Sequence, residues 1–217
     1  MHLYIIRHGE SLGNIQQTDH PDCGLSPQGE QQVERIVPYF DSVPVDQIWS
    51  SPLKRTIQSA TPLAKRKGLN IQLFPELTET FDHKRKVYAE YDWDPLEQIV
   101  ERYPITWYDR ENTPHDEWWP VWPETGHDVM DRVKALYAER VKPYLDTDQH
   151  IVVFGHGATT RRLRTVVCER DPQHLEQGTD NAVICAYHLD SNGECLAYEI
   201  YTDHISNCMS LKANRAF

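Results

Sequence analysis

The chain enters its first regular element with Leu3-Tyr-Ile-Ile-Arg-His-Gly-Glu-Ser-Leu-Gly-Asn14, an apolar run that ends abruptly in a cation, an imidazole and a glycine. The run Tyr4–Ile6 predicts a short buried strand. Arg7 and His8 then lie at its C-terminal end, where open α/β sheets place their ligand crevices. An Arg-His pair at a strand end is more often structural than catalytic, so this stretch permits a site without establishing one.

Composition limits the kind of partner that this chain binds. The 217 residues are 39% hydrophobic, which is enough to bury a core, and we expect one domain over residues 1–217. The net charge of -11 argues against nucleic acid or a membrane surface as the main partner, because both attract basic proteins. A small phosphorylated molecule stays compatible with this charge if a few cations converge locally.

The sequence shows no targeting signal, and this and its cysteine usage lead us to expect a cytoplasmic location. The first strand follows the N-terminus directly with no signal-like region, and no window reaches the apolar length of a membrane span. The five cysteines are odd in number and form no C-x-x-C pair. This pattern favours reduced thiols over a disulfide framework or a zinc site.

Strand and helix patterns alternate along most of the chain, which is typical of an α/β protein. Further strands are predicted at 47–51, 70–74, 150–154, 182–189 and 195–201. Helices are predicted at 27–40, 52–67, 94–103, 128–145 and 158–168. Pro143 should kink or end the helix at 128–145. We expect a three-layer α/β/α sandwich with a mainly parallel central sheet, helices on both faces and a closing antiparallel hairpin.

The region of about 80–125 departs from this alternation and reads as an excursion over the C-terminal edge of the sheet. Between Glu76 and Asp128 there are 14 acidic and five basic residues, and five of the six tryptophans. One interpretation is an aromatic subdomain that buries its own rings. The other is a lid that shapes a substrate pocket, and the two are compatible.

Two predicted strands end in the same signature, Ile6-Arg7-His8-Gly9 and Phe154-Gly155-His156-Gly157. If both strands are central and parallel, both histidines reach the same edge of the sheet. A third strand leads to Arg55 in the first turn of a helix, whose amide groups favour an anion. We therefore expect one tetrahedral anion among Arg7, His8, Arg55 and His156, with Gly9 and Gly157 allowing close approach of backbone.

These residues carry a resemblance to a known family. The chain has Arg7-His8-Gly9-Glu10-Ser11 with Asn14, then Ser50-Ser-Pro-Leu-Lys-Arg55, then Gly155-His156-Gly157. The three blocks resemble, in order, the signature blocks of the histidine phosphatase superfamily, which includes the cofactor-dependent phosphoglycerate mutases. The match covers the chain from Leu3 to Tyr201. Leu25-Ser-Pro-Gln-Gly29 also resembles the family's entry to its first long helix.

The resemblance implies that His8 is the nucleophile and forms a phosphohistidine with a phosphomonoester. This chemistry needs a neutral imidazole whose second nitrogen is held as a donor, for example by nearby backbone. Arg7, Arg55, Asn14 and His156 would bind the non-bridging oxygens, with the Gly157 amide as an additional donor. Neither a metal nor a cofactor is expected.

A carboxyl group must protonate the leaving alkoxide and later activate water. In the family this acid follows the third strand within a Leu-x-Glu pattern, which Leu77-Thr-Glu79 matches. Glu79 is therefore the expected general acid and base. Glu76 and Asp82 are the alternatives.

Residues outside the phosphate pocket separate hydrolysis from phosphoryl transfer within a sugar acid. The family's mutases usually carry a tryptophan before the asparagine and an arginine-rich excursion. Here Gly13 precedes Asn14, and the excursion is acidic apart from Lys84-Arg-Lys86. This departure favours a phosphoric monoester hydrolase of the histidine acid phosphatase kind, acting on a small phosphorylated metabolite. A mutase, and an inactive phosphate-binding module, are the alternatives.

Overall fold

The computed structural model describes residues 1–82, 84, 86–113, 118–120, 122–168, 175 and 179–208. The strands in this part of the chain are β1 His2–Arg7, β2 Gln47–Ser50, β3 Ile71–Leu73, β4 Thr106–Trp107, β5 His150–Gly155, β6 Ile184–Leu189 and β7 Cys195–Tyr201. The α-helices described are α1 Pro27–Glu34, α2 Lys54–Lys67, α3 Lys86–Ala89, α4 Leu96–Arg102, α5 Gly126–Leu136 and α6 Gly157–Val167. None of these helices has the length and apolar character that a membrane crossing requires.

The strands form one mixed sheet in the order β4-β3-β2-β5-β1-β6-β7. The neighbours from β4 to β1 are parallel, whereas β6 and β7 pair antiparallel at the other end. The predicted mainly parallel sheet with a closing hairpin is confirmed. Ile151–Phe154 of β5 are completely buried, as the continuous apolar run indicated.

Helices cover the sheet in two packed pairs. Helix α2 contacts β2, β3 and β5 and packs against α1, whereas α6 contacts β1 and β5 and packs against α5. The chain moves from β1 through α1 and α2 towards β3, and returns from β4 through α5 to β5. Crossovers between parallel strands are right-handed. Because the chain crosses the sheet in opposite directions in these two parts, helices α1 and α2 lie on one face and helices α5 and α6 on the other. The α/β/α arrangement is therefore the predicted one.

Prolines shorten two of the predicted helices. After α1, a 3-10 turn over Val37–Phe40 that contains Pro38 replaces the second half of the predicted helix. After α5, a π turn and a 3-10 turn that contains Pro143 complete the apolar stripe. A proline lacks the N–H that a continued α-helix needs, and at these two positions the α-helical bonding stops while the apolar spacing persists. Helix α2, in contrast, continues past Pro62.

Helix α1 touches the loop after β1 through backbone atoms. A Cβ atom on Gly29 would lie 1.9 Å from the carbonyl oxygen of Glu10, and one on Gly9 would lie 2.7 Å from the carbonyl oxygen of Gly29. Glycine at both positions therefore permits this contact. The sequence suggested that Gly9 lets the backbone approach a ligand closely. In the structure, Gly9 also allows close contact between this loop and α1.

Candidate active site

The ends of β1 and β5 bring two imidazoles together. The strands are neighbours and parallel, with Arg7 beside Gly155. The ring centroids of His8 and His156 lie 5.2 Å apart, and both side chains are buried. The prediction that both histidines reach one edge of the sheet is confirmed.

The His8 ring is oriented by the backbone next to it. Its Nδ1 lies 2.6 Å from the carbonyl oxygen of Gly9. Because a carbonyl only accepts hydrogen bonds, Nδ1 carries the proton of the neutral ring and Nε2 carries the lone pair. The Asn181 side chain donates to the carbonyl oxygen of His8 at 2.8 Å, which fixes the backbone at this residue. In its neutral form, His8 therefore carries the lone pair on Nε2, as a nucleophile requires.

His156 is anchored through the serine that directly follows β2. Its Nε2 lies 2.9 Å from Oγ of Ser51, and that oxygen also accepts a hydrogen bond from the amide of Leu53 at 3.2 Å. His156 also precedes α6, so the amide of Gly157 lies in the first turn of that helix. A Cβ atom on Gly157 would lie 3.6 Å from Cζ of Arg7, which places the guanidinium beside this helix start.

Arg55 lies in the first turn of α2, as predicted, and is 3% exposed. Its Nη1 donates to the carbonyl oxygen of Pro21 at 3.0 Å. The adjacent Asp22 carboxylate accepts from the amide of Lys54 at 2.6 Å, and burial raises the pKa of this carboxyl. The loop before α1 is thus tied to α2 and orients the guanidinium.

Asn14 is held by the turn that contains it. Its Oδ1 accepts from both the amide and the hydroxyl of Ser11 at 3.0 Å. Since an amide N–H only donates, these contacts identify the oxygen and leave the NH2 group as the donor for an anion.

Glu79 follows β3 and a 3-10 turn over Pro75–Leu77, and it is 6% exposed. One carboxylate oxygen accepts from the amide of Thr80 at 3.0 Å. Among the three candidate acids, Glu79 alone contributes to the described lining of the cavity next to His8. Glu76 and Asp82 lie outside that lining.

A cavity of about 220 Å³ opens in front of His8. The predicted site residues that line it are Arg7, His8, Asn14, Arg55 and Glu79. His156 and Gly157 are outside the described lining, and His156 lies beside His8 in the protein interior. The cavity thus brings two guanidinium groups, an amide, an imidazole and a carboxyl group to one place, although the chain as a whole is acidic.

One wall of the cavity was missed in the sequence. The polar loop before α1 supplies Thr18, Asp19 and His20, and the excursion supplies Tyr88. The ring of His20 lies 5.0 Å from that of Tyr91, so the loop and the excursion contact each other here. Polar loop composition gave no signal for this wall.

Several aromatic residues of the excursion pack against one another, whereas Trp107 is 44% exposed. The Trp93 ring lies 5.3 Å from Phe81, 5.7 Å from Tyr88 and 5.7 Å from Trp118. This cluster matches the interpretation of a segment that buries its own rings, and Tyr88 also reaches the cavity. Action of the excursion as a lid stays a prediction, and Arg85 lies outside the described residues.

The sequence matches the model of the histidine phosphatase superfamily (branch 1) over residues 3–199. The chain belongs to the histidine phosphatase superfamily. The match spans all three signature blocks, and the family resemblance inferred from them is confirmed.

Similar members of the superfamily include proteins named as phosphatases. The chain is 28% identical over 171 residues to the uncharacterized phosphatase PhoE of Bacillus subtilis, covering 78% of each protein. It is 27% identical over 208 residues to phosphoserine phosphatase 1 of Hydrogenobacter thermophilus, covering 94% of this chain and 93% of that protein. The structure of an alpha-ribazole phosphatase from Shigella flexneri matches with a TM-score of 0.63 at 19% identity, over 94% of this chain and 97% of that one. This last similarity concerns the fold alone.

Proposed function

We propose that this member of the histidine phosphatase superfamily is a phosphomonoester hydrolase that acts through a phosphohistidine on His8. The observation that carries the proposal is the 2.6 Å contact between Nδ1 of His8 and the Gly9 carbonyl, because it puts the lone pair on Nε2. Two arginines line the same cavity and supply the positive charge that a phosphoryl group needs.

The proposed reaction has two displacements. Nε2 of His8 attacks phosphorus, the ester P–O bond breaks, and the Glu79 carboxyl group gives its proton to the leaving oxygen. Glu79, now a carboxylate, takes a proton from water as the water oxygen attacks phosphorus and breaks the N–P bond. Phosphate leaves, and His8 returns to its neutral form. Arg7, Arg55 and Asn14 stabilise the charge on the non-bridging oxygens in both steps.

Several observations favour hydrolysis of a small monophosphate over a mutase reaction. A cavity of about 220 Å³ is smaller than most sites for drug-sized ligands, which span roughly 300–1,000 Å³. Besides the predicted site residues, the basic side chains in the described lining are limited to His20. Lys86 is exposed and pairs with Glu90 at 3.0 Å. A second phosphate would therefore find little positive charge in the described lining of this cavity.

The presence of a complete set of reacting groups favours an enzyme over an inactive binding module. The module hypothesis predicts binding of phosphate or vanadate without turnover. The mutase hypothesis predicts that activity requires a bisphosphoglycerate. Both are tested in the same screen.

The central experiment is a hydrolysis screen over sugar phosphates, nucleotides, phosphoglycerates and phosphoserine, run with and without EDTA. We expect turnover of at least one monophosphate in EDTA, and trapping of an acid-labile phosphoenzyme. His8→Ala should abolish both, whereas His188→Ala, which removes an exposed imidazole on β6, should retain both. Full activity in His8→Ala would overturn the proposal.

The role of Glu79 has its own test. Glu79→Gln should lower kcat/KM about 100-fold for an alkyl phosphate, whose leaving group needs a proton, and much less for a nitrophenyl phosphate. Equal losses on the two substrates would remove Glu79 from this role.

A further inference from the structure

We propose that the buried ion pair between Arg132 and Glu124 is a positioning device that sets the place of the Glu79 carboxyl group. The inference rests on the proposed function, because it assumes that Glu79 is the general acid. It concerns two residues that contact the backbone of residues 76–81, here called the Glu79 segment. Neither residue has a part in the proposed binding of phosphate.

Arg132 of α5 binds both the segment and its ion-pair partner. Its Nε and Nη2 donate to the two carboxylate oxygens of Glu124 at 2.8 and 3.1 Å. The same guanidinium donates from Nη1 to the carbonyl oxygen of Glu76 at 2.6 Å and from Nη2 to that of Glu79 at 3.3 Å. One planar group therefore fixes the backbone on both sides of the residues that lead to Glu79.

Glu124 fixes the other end of the segment. Its carboxylate accepts from the amide of Phe81 at 2.8 Å, and its own amide donates to the carbonyl oxygen of Phe81 at 2.8 Å. The Arg132 and Glu124 side chains are only 15% and 5% exposed. A bidentate, largely buried pair of this kind has a defined geometry, which an exposed pair lacks.

The segment is also connected to the helix that follows His156. The hydroxyl of Thr159 in α6 donates to the carbonyl oxygen of Leu77 at 3.0 Å. The backbone around Glu79 is thus held from α5 on one side and from α6 on the other. Since α6 begins directly after His156, this arrangement sets the acid relative to the imidazoles.

A buried ion pair adds little net stability compared with an apolar pair of similar volume. Removing one partner, however, leaves the other charge buried and unpaired, so the variants also lose stability. The effect on geometry is therefore read from the ratio of two substrates and not from stability. A catalytic group displaced by about 1 Å loses up to about 100-fold in rate. Loss of the pair should lower the reactions that need the acid and spare those that do not.

The test compares kcat/KM for an alkyl phosphate and a nitrophenyl phosphate, because kcat/KM reports the steps up to cleavage of the ester bond. Arg132→Met keeps the length of the side chain and removes its donors. We expect a loss of about 10- to 100-fold on the alkyl phosphate and less than about threefold on the nitrophenyl phosphate. Val133→Ala, a buried neighbour on the same helix, is the matched control for destabilisation and should leave the ratio of the two substrates unchanged.

Glu124→Gln provides a second variant, which keeps an acceptor for Phe81 and removes the charge. It should shift the ratio in the same direction, and it decides the question if Arg132→Met does not fold. We also combine Glu124→Gln with Glu79→Gln. The change in the ratio of kcat/KM for the two substrates should be no larger than in Glu79→Gln alone, because the pair acts through that carboxyl group.

The outcomes separate the inference from the proposed function. An alkyl-selective loss in Glu79→Gln, with equal losses on both substrates in Arg132→Met or Glu124→Gln, overturns the inference and leaves the role of Glu79 intact. Equal losses in Glu79→Gln overturn that role and the inference with it. Activity retained in His8→Ala contradicts the proposed function itself.

Discussion

Replacing Gly29 by alanine tests the contact between helix α1 and the loop that carries His8. The new Cβ would lie 1.9 Å from the carbonyl oxygen of Glu10. Because unbonded carbon and oxygen atoms approach to about 3.3 Å, the helix and the loop must separate by roughly 1.4 Å. The neighbours in this contact are backbone atoms, so no side chain can rotate away.

The cost of Gly29→Ala follows from what this separation disturbs. Overpacking in a well-packed interior costs about 1–3 kcal/mol. The separation also strains two hydrogen bonds from Ser26 to Glu10, at 2.8 Å to its carbonyl and 2.7 Å to its carboxylate. With up to about 1 kcal/mol for each bond, the free energy of unfolding should fall by about 3–5 kcal/mol. A chain of this size would then melt roughly 10 °C lower.

The assay is thermal unfolding together with kcat/KM at a temperature where the variant is folded. We expect kcat/KM to fall about tenfold or more, since Glu10 lies two residues after His8. Gly126→Ala, in the first turn of α5, is the matched control, because its Cβ would meet only the flexible end of Arg162 at 3.2 Å. Wild-type melting and activity in Gly29→Ala would refute the reasoning.

Two further predictions concern a hydroxyl in the site and the histidines at the far end of the sheet. Ser51→Ala removes the 2.9 Å contact to His156 and should lower kcat/KM about tenfold, whereas Ser50→Ala, the matched control, should change it much less. The rings of His2 and His150 stack with their centroids 4.3 Å apart. Burial lowers the pKa of both histidines, and neighbouring imidazoles lower that of His2 further. As the pH falls, the unfolded chain therefore takes up protons at these histidines before the folded chain does. The free energy of unfolding should be highest above about pH 6.5 and should decrease as the pH drops below that value. Urea unfolding at about pH 7.5 and 5.5 measures this fall. His2→Phe should reduce it, and an unchanged fall would contradict the prediction.

Local signals were sufficient where a site residue ends a strand or begins a helix. Arg7 and His8 follow an apolar run, and His156 follows a second one, so parallel pairing of the two strands was enough to bring them together. Arg55 lies in the first turn of α2, where the helix start itself favours an anion. These positions depend on the order of the elements and on the direction of the strands.

Contacts between distant side chains left no such signal. Ser51 lies beside His156, and Tyr88 lines the cavity, although composition alone marked neither position. The candidate acids were separated in part by sequence, because the family's Leu-x-Glu pattern selected Glu79 over Glu76 and Asp82. The structure adds that, of these three, Glu79 alone contributes to the described lining of the cavity.

The sequence by itself determined the α/β class, the family and the end of the sheet at which the candidate active site lies, because each depends on periodicity or on short motifs in order. Only the tertiary structure decided the tautomer of His8, the wall from the excursion and the pairing of Arg132 with Glu124. Those features depend on side-chain directions and on distances between segments far apart in the chain. A hydrogen bond depends on the direction of the donor and, within a few tenths of an ångström, on the distance to the acceptor. The spacing of residues in the sequence specifies neither.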